Sequence, residues 1–503
     1  MKRTVFVMMI ILLLSKVTGF LRTITIASTF GAGYLSDVFH AAFMIPGLFI
    51  SIIVTGINTS MIPVLSSAEI NGHKDRTFNR LLSLGLVVSI IVVLFIIAFA
   101  GVILSFTHMG YSPEKQALAA HYTRIMSVMT GMQILTYIFA GYLQQSNRFY
   151  IVAAIAIPMN FIIIAMTLLG SSETLIWVVI AHVIGYLSQL LMVAFPFIKE
   201  KFPFRFDIDL KDEYLPIFLS LVGPVVLTTS VGQLNVVVDQ MLASMLPEGQ
   251  LTILSDASKI NGLFQSVLIM SFTTIMFTQQ SKLVEKEEQK ELCEITQKNL
   301  SMILLLIVPI ILGILFLHQE IFSVVFLRGK YTADDAYVGG RILFYYAFSL
   351  FGWSVNDVLG KFFYSTKEAK KTVWPSFIII GSNVILNIIL VRFMGVYGLA
   401  LASSIAVFIG MMIFYRKARG RFDKENVPVF SQSVPKYFLA GGAMYGLLRL
   451  LREYTSFGRM SDYPMVFISA AVGATVYFLI LFLLKTDELT MMKDLILRKL
   501  KRS

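Results

Sequence analysis

Cysteine is almost missing from this 503-residue chain: Cys293 stands alone, so no internal disulfide and no paired-cysteine metal site can form. Histidine is sparse, with six residues at 40, 73, 108, 121, 182 and 318 and no zinc-protease spacing among them. Charge is scarce too, at 14% of residues, which excludes a soluble protein with a solvated surface over this length. Long polar segments are lacking, so no link between apolar runs is large enough to be a catalytic domain. The acids in the links on one side (Glu114, Glu173, Glu248, Glu320, Asp334, Asp335, Glu453 and Asp462) form no pair suited to acid–base work. The expectation is a protein that is not an enzyme, with no catalytic residue, no cofactor and no metal site.

What the chain has instead is apolar length. Hydrophobic residues make up 56% of it, and runs long enough to cross hydrocarbon recur from end to end. They lie near 5–29, 35–65, 80–107, 117–145, 149–169, 174–198, 214–246, 250–281, 297–318, 337–365, 372–394, 396–416, 435–451 and 463–485. The fold class is an all-α polytopic membrane protein of about fourteen transmembrane helices. With both termini in the cytoplasm, seven of the 42 Lys and Arg fall in outer loops and six within spans, leaving the rest cytoplasmic, as the positive-inside rule requires. The net charge of +12 then reads as topology and attraction to anionic membrane lipids, not to nucleic acid. Met1-Lys2-Arg3 opens like a signal peptide, but its apolar run continues to about Ser28, too long for one, so it reads as a first span that stays.

An offset of 215 residues aligns Ile45, Gly47, Leu48, Phe49, Ser51, Thr59, Met61 and Ser66 with Ile260, Gly262, Leu263, Phe264, Ser266, Thr274, Met276 and Ser281. Span two then corresponds to span eight. The reading is two parallel six-helix lobes in a pseudo-twofold arrangement, a transporter design, plus two C-terminal helices. The expected parts are 1–198 (first lobe), 199–213 (cytoplasmic linker), 214–424 (second lobe), 425–485 (spans thirteen and fourteen) and 486–503 (a basic amphipathic tail). Within the linker, Phe202, Phe204, Phe206, Ile208 and Leu210 alternate with polar residues, as in an interfacial strand-like segment.

Charges inside spans demand a reason, since a cation at the bilayer centre costs about 2.5–3.5 kcal/mol on insertion scales. Lys16 lies near the middle of span one, with Arg22 further along it and Gly19 thinning the helix between them. Lys259 sits in span eight, one turn after Asp256. Asp37 and His40 share a face of span two. Three cations on one cavity would suit a diphosphate, with Arg as a planar fork and Lys as a point charge. The structural alternative pairs Lys16 with Asp37 and Lys259 with Asp256 simply to hold helices together. Asp239 and Asp357, also within spans, are candidate partners or proton carriers.

Ser15-Lys16-Val17-Thr18-Gly19-Phe20-Leu21-Arg22, Phe30-Gly31-Ala32-Gly33 and Ser36-Asp37-Val38-Phe39 resemble the opening of the MurJ (MviN) family. These are lipid II flippases of the multidrug/oligosaccharidyl-lipid/polysaccharide (MOP) exporter superfamily. Val238-Asp239-Gln240-Met241-Leu242-Ala243-Ser244 with Leu246-Pro247-Glu248-Gly249, and Phe362-Phe363-Tyr364-Ser365 with Lys370-Lys371-Thr372, look like its seventh and tenth spans. The resemblance implies a bacterial plasma-membrane flippase working by alternating access. Its substrate would be undecaprenyl-diphosphate carrying the peptidoglycan precursor, moved from the inner to the outer leaflet. The resemblance places Lys16, Arg22 and Lys259 at the diphosphate and the family's acid at Asp37. By their position in the spans, Gly19, His40, Asp256 and Asp239 join Asp37 as candidates for the cavity, its gating or ion coupling, and the driving force is the membrane potential or a coupling ion. One departure stands out: where the family often has an arginine pair after Pro-Asn-Leu-Leu, this chain reads Pro46-Gly47-Leu48-Phe49-Ile50-Ser51. A flippase for another lipid-linked polysaccharide precursor (capsule, teichoic acid or O-antigen type) is the alternative.

Overall fold

The computed structural model of the chain describes residues 2–209, 211–266, 270–286, 288–368, 370–486 and 488, and the regular elements among them are all helical. In order these are α1 (Lys2–Phe30), α2 (Tyr34–Ile70), α3 (Lys74–Thr107), α4 (Pro113–Gln145), α5 (Phe149–Ala154), α6 (Ala156–Leu169), α7 (Ile176–Lys199) and α8 (Tyr214–Ala243). There follow α9 (Gln250–Phe264), α10 (Met270–Glu285), α11 (Gln289–Phe326), α12 (Ala333–Ser365), α13 (Lys370–Met394), α14 (Val396–Lys424), α15 (Val434–Tyr454) and α16 (Asp462–Leu483). Each of the fourteen expected spans is filled, with α5 and α6 sharing the fifth and α9 and α10 the eighth. Twelve segments among the described residues are long and apolar enough to cross a membrane. The other two spans are the interrupted α9–α10 and α15, which carries Lys436, Arg449 and Arg452.

The outer faces show what solvent these helices are built for. The most apolar stretch of α3 has a mean hydropathy of 3.3, yet 17% of it is buried. Ile90, Ile91, Leu94, Phe99, Val102 and Phe106 all point outward. A water-soluble fold would hide such a helix in its core; here the apolar face meets lipid.

By packing, the chain divides into two compact units, residues 1–252 with 328–332, and residues 253–327 with 333–503. The six-plus-six-plus-two division remains a reading of the sequence repeat. In the first unit α4 is central, packed on α2, α3 and α7, while α6 bridges α1 and α7 and α8 packs on α2. Its core gathers Met61, Leu65, Phe78, Ile138, Phe197 and Tyr214. Phe78 stacks on Phe197 with ring centroids 5.2 Å apart. Gly141 brings α4 against α2, for a Cβ there would lie 2.4 Å from that of Met61. In the second unit α11 packs on α12, α15 and α16, and α14 packs on α12 and α13. Phe322, Phe326, Phe362, Phe363 and Phe422 are fully buried. The expected amphipathic tail, 486–503, lies outside the described residues except for Thr486 and Glu488, both buried.

The linker between α7 and α8 has no regular structure over 202–209, so the expected strand-like segment is not formed there, and Leu210 lies outside the described residues; the linker is strapped to the start of α3. Arg80 of α3 binds Asp207 and Asp209 at 2.8 Å each, and also Asp212. Asn79 donates to the Pro203 carbonyl at 3.2 Å, and the Asp207 amide donates to Ser83 Oγ at 3.0 Å. Asp207 and Asp209 reach Arg80 while remaining part-exposed, and Phe204, Phe206 and Ile208 are exposed.

Candidate functional site

The recognisable stretch of α1 splits its work between two faces. On one, Ser15 Oγ donates to the Ala153 carbonyl at 3.0 Å. The buried Asn160 of α6 donates to Thr18 Oγ1 at 3.0 Å and to the Ser15 carbonyl at 3.3 Å. A Cβ on Gly19 would stand 3.5 Å from Asn160 Nδ2, ordinary contact. Small hydroxyl residues at this spacing let α1 seat closely against α5 and α6. Lys16 and Arg22 lie off that seam. Lys16 is exposed and Arg22 half-buried. Among the described residues neither makes an ion pair with a carboxylate. The groups that Arg22 influences electrostatically are His182 and Tyr186 of α7. His182 Nδ1 donates to the Val178 carbonyl at 2.7 Å, which fixes the ring.

Asp37 has a different setting. It is 2% exposed, and Lys115 Nζ lies 3.1 Å from its Oδ2. The Gly249 amide donates to Oδ2 at 2.9 Å. The Thr252 amide and hydroxyl donate to Oδ1 at 3.2 and 2.8 Å. The pairing with Lys16 weighed from the sequence is therefore not the one present: Asp37 is neutralised by Lys115 and caps the first turn of α9, where free amides and the helix dipole favour a carboxylate.

Local sequence explains how these groups meet. Gly31, at φ +68°, ends α1, its amide bonded to the Ala27 carbonyl at 2.8 Å, and α2 starts three residues on with Asp37 in its first turn. Ser112 caps α4, with Pro113 opening it, so Lys115 falls within the first turn of the helix. The ammonium lies 4.2 Å from the Tyr111 ring centroid and 5.1 Å from that of Tyr34, contacts that favour a cation. Gly249, at φ +84°, lets the turn before α9 pass close to Ala32, whose carbonyl oxygen would be 2.5 Å from a Cβ there. Gly329, at φ +61°, packs against the Ser28 carbonyl in the same way. The Lys330 amide donates to that carbonyl at 2.9 Å. The α1–α2 turn is thus clasped by backbone from two other loops.

The remaining expected residues lie apart from this clasp. Lys259 Nζ is 2.9 Å from Asp256 Oδ1, so the intrahelical pair weighed as the structural alternative is present, with Lys259 still 40% exposed at its side chain and Asp256 at 2%. Asp256 Oδ2 is buried and accepts no hydrogen bond among the described residues. Asp239, on α8, is half-buried. His40 is half-buried with its ring edge-on to Phe39 at 5.7 Å. Lys115, which the sequence pattern did not single out, is the residue missed. Its partner stands 78 positions away, and the only local hint was the Ser112-Pro113-Glu114 helix start.

Residues 26–464 match the family model described as lipid II flippase MurJ. A probable lipid II flippase MurJ from Thermotoga maritima is 27% identical, with 94% of this chain and 95% of that protein covered. The Aquifex aeolicus relative of the same description is 26% identical over 95% and 93% of the two chains. Among solved structures, one described as lipid II flippase MurJ in an inward closed conformation matches with a TM-score of 0.81 at 23% identity, covering 94% of this chain and 98% of that one. An inward-facing multidrug resistance MATE transporter of the MOP superfamily matches at 0.71 and 13% identity, covering 81% and 94%. At these identities the two structures speak for the fold.

Proposed function

Since the chain belongs to the lipid II flippase MurJ family, we propose that it flips the undecaprenyl-diphosphate-linked peptidoglycan precursor and that Lys16 and Arg22 of α1 hold the diphosphate. One observation supports the site: these are cations within a membrane-spanning helix and without a carboxylate partner among the described residues. The cations Lys115 and Arg80, by contrast, are buried against acids. An unpaired charge in hydrocarbon is expensive, so the missing anion is supplied by the substrate. Arg22 offers a fork to phosphate oxygens and Lys16 a mobile point charge. Lys259 joins this set on the family resemblance, sharing its charge with Asp256.

Translocation runs from the inner to the outer leaflet of the plasma membrane, with both termini cytoplasmic, as the distribution of Lys and Arg favours. The prenyl tail stays in lipid while the head group crosses. The membrane potential is worth about 2.3 kcal/mol per charge per 100 mV; ion coupling would use Asp256, which has a free buried oxygen, or Asp239. Asp37 serves as the clasp.

Complementation tests the reading. In cells depleted of their own lipid II flippase, the wild-type chain should restore flipping and wall synthesis, whereas Lys16→Ala and Arg22→Ala, expressed at the same level, should not. Full rescue by both variants would refute the cation site. No rescue by the wild type, with capsule or teichoic precursor export restored instead, would refute lipid II as the cargo.

A further inference from the structure

The strap between α7 and α8 ties its acids to one cation and leaves its apolar side chains exposed. Asp207 and Asp209 stay 43 and 37% exposed at their side chains, but both are paired with Arg80. Phe204, Phe206 and Ile208 are 48, 59 and 43% exposed, while Asp207, Asp209 and Asp212 are spent on Arg80. With three acids paired to Arg80, the other exposed charges around the segment are Lys199, Lys201, Arg205 and Lys211 against Glu200 and Glu213, so bases outnumber acids. On α7, Leu191, Phe195 and Ile198 are likewise exposed at helical spacing. That stripe meets lipid, and the strap follows in the chain just past the end of the helix.

We propose that residues 202–209 form an interfacial anchor, with Phe204, Phe206 and Ile208 inserted at the boundary between headgroups and acyl chains of an anionic leaflet and the basic residues on its phosphates. The apolar side chains at 204, 206 and 208 are all exposed, and aromatic and basic side chains are those favoured at that depth. Arg80 acts as a staple. It collects three carboxylates that would otherwise face anionic headgroups, and so it sets both the register of the strap and the sign of its outer charge. The partner is the bilayer itself, whatever cargo the protein carries.

The single cysteine makes the test simple. The full chain with Cys293→Ala carries Phe206→Cys, Ile208→Cys or Arg205→Cys in turn, is labelled with an environment-sensitive fluorophore, and is reconstituted in vesicles of phosphatidylcholine with an equal part of phosphatidylglycerol. Quenching by headgroup-proximal doxyl lipid should be at least about twofold stronger at 206 and 208 than at 205, with the order reversed for aqueous iodide. Adding Arg80→Gln to Phe206→Cys should abolish the difference, and omitting phosphatidylglycerol should weaken lipid quenching at 206. Iodide access at 206 and 208 equal to that at 205 would overturn the anchor. So would shielding from both quenchers, which would mean a protein cover. Unchanged quenching with Arg80→Gln would overturn the staple, and unchanged quenching in phosphatidylcholine alone would overturn the charge preference.

Discussion

Lys115 and Asp37 form an ion pair 3.1 Å long with both side chains below a tenth exposed, and the carboxylate also takes three hydrogen bonds from Gly249 and Thr252. Removing one member strands the other in a buried site, which costs about 3–5 kcal/mol in comparable pairs. Asp37→Ala and Lys115→Ala should each lower the thermal midpoint of the purified protein by several degrees. The Lys115→Met, Asp37→Asn double variant should recover much of the loss. Midpoints within about a degree of wild type for both single variants would show that the pair does not hold the clasp together.

Arg22 leads to the opposite expectation. With no carboxylate among the described residues to neutralise it, its charge is a burden to the resting protein. Arg22→Met should abolish flipping while leaving the thermal midpoint unchanged or higher, a trade of stability for function. A midpoint several degrees lower in thermal unfolding would mean that Arg22 is a structural residue.

The loop glycines can be ranked. Gly249, Gly329 and Gly72 all have positive φ, but only the first two face backbone where a Cβ would go, and Gly72 faces open space. Gly72→Ala should cost about 1 kcal/mol from backbone conformation alone. Gly249→Ala and Gly329→Ala add a collision and should cost more, which thermal unfolding in one detergent can compare. Equal losses at the three positions would remove the close approach from the account.

His108, just beyond α3, adds a pH dependence. Burial, and then the nearby Lys115 charge, push its pKa down to about 4. Its Nε2 has no hydrogen-bond partner among the described residues. The neutral ring is the one the fold accepts. Below an unfolded value of about 6.5 the unfolded chain takes up a proton that the folded chain refuses until about pH 4. Stability is therefore full above pH 6.5 and falls across that window by up to about 3 kcal/mol. The thermal midpoint should drop from pH 7 to pH 5, and His108→Gln should flatten the slope. An unchanged slope would place the titration elsewhere.

The order and number of helices could be read from hydropathy because lipid imposes one demand on every span, a continuous apolar length with its backbone bonded to itself. Boundaries were less visible. α2 runs through Pro46 and Pro63 to Ile70, past the point at which polarity rises. The intrahelical pair of Lys259 with Asp256 was legible, being three residues apart. The partner of Asp37 was not, since no local pattern links positions so far apart, and the same holds for Arg80 and its acids more than a hundred residues away. A charge at the end of an apolar run looks the same whether it snorkels to water or turns inward to a carboxylate.

The stretch Ser15 to Arg22 spends its hydroxyls on seating α1 against α5 and α6. It lies ahead of the residues 26–464 that match the family model, so that match does not rest on the charges at 16 and 22. Cargo preference would be written in the off-seam positions, where a swap of Lys16 or Arg22 leaves the docking of the helix untouched, so a change of substrate could arise without a change of architecture.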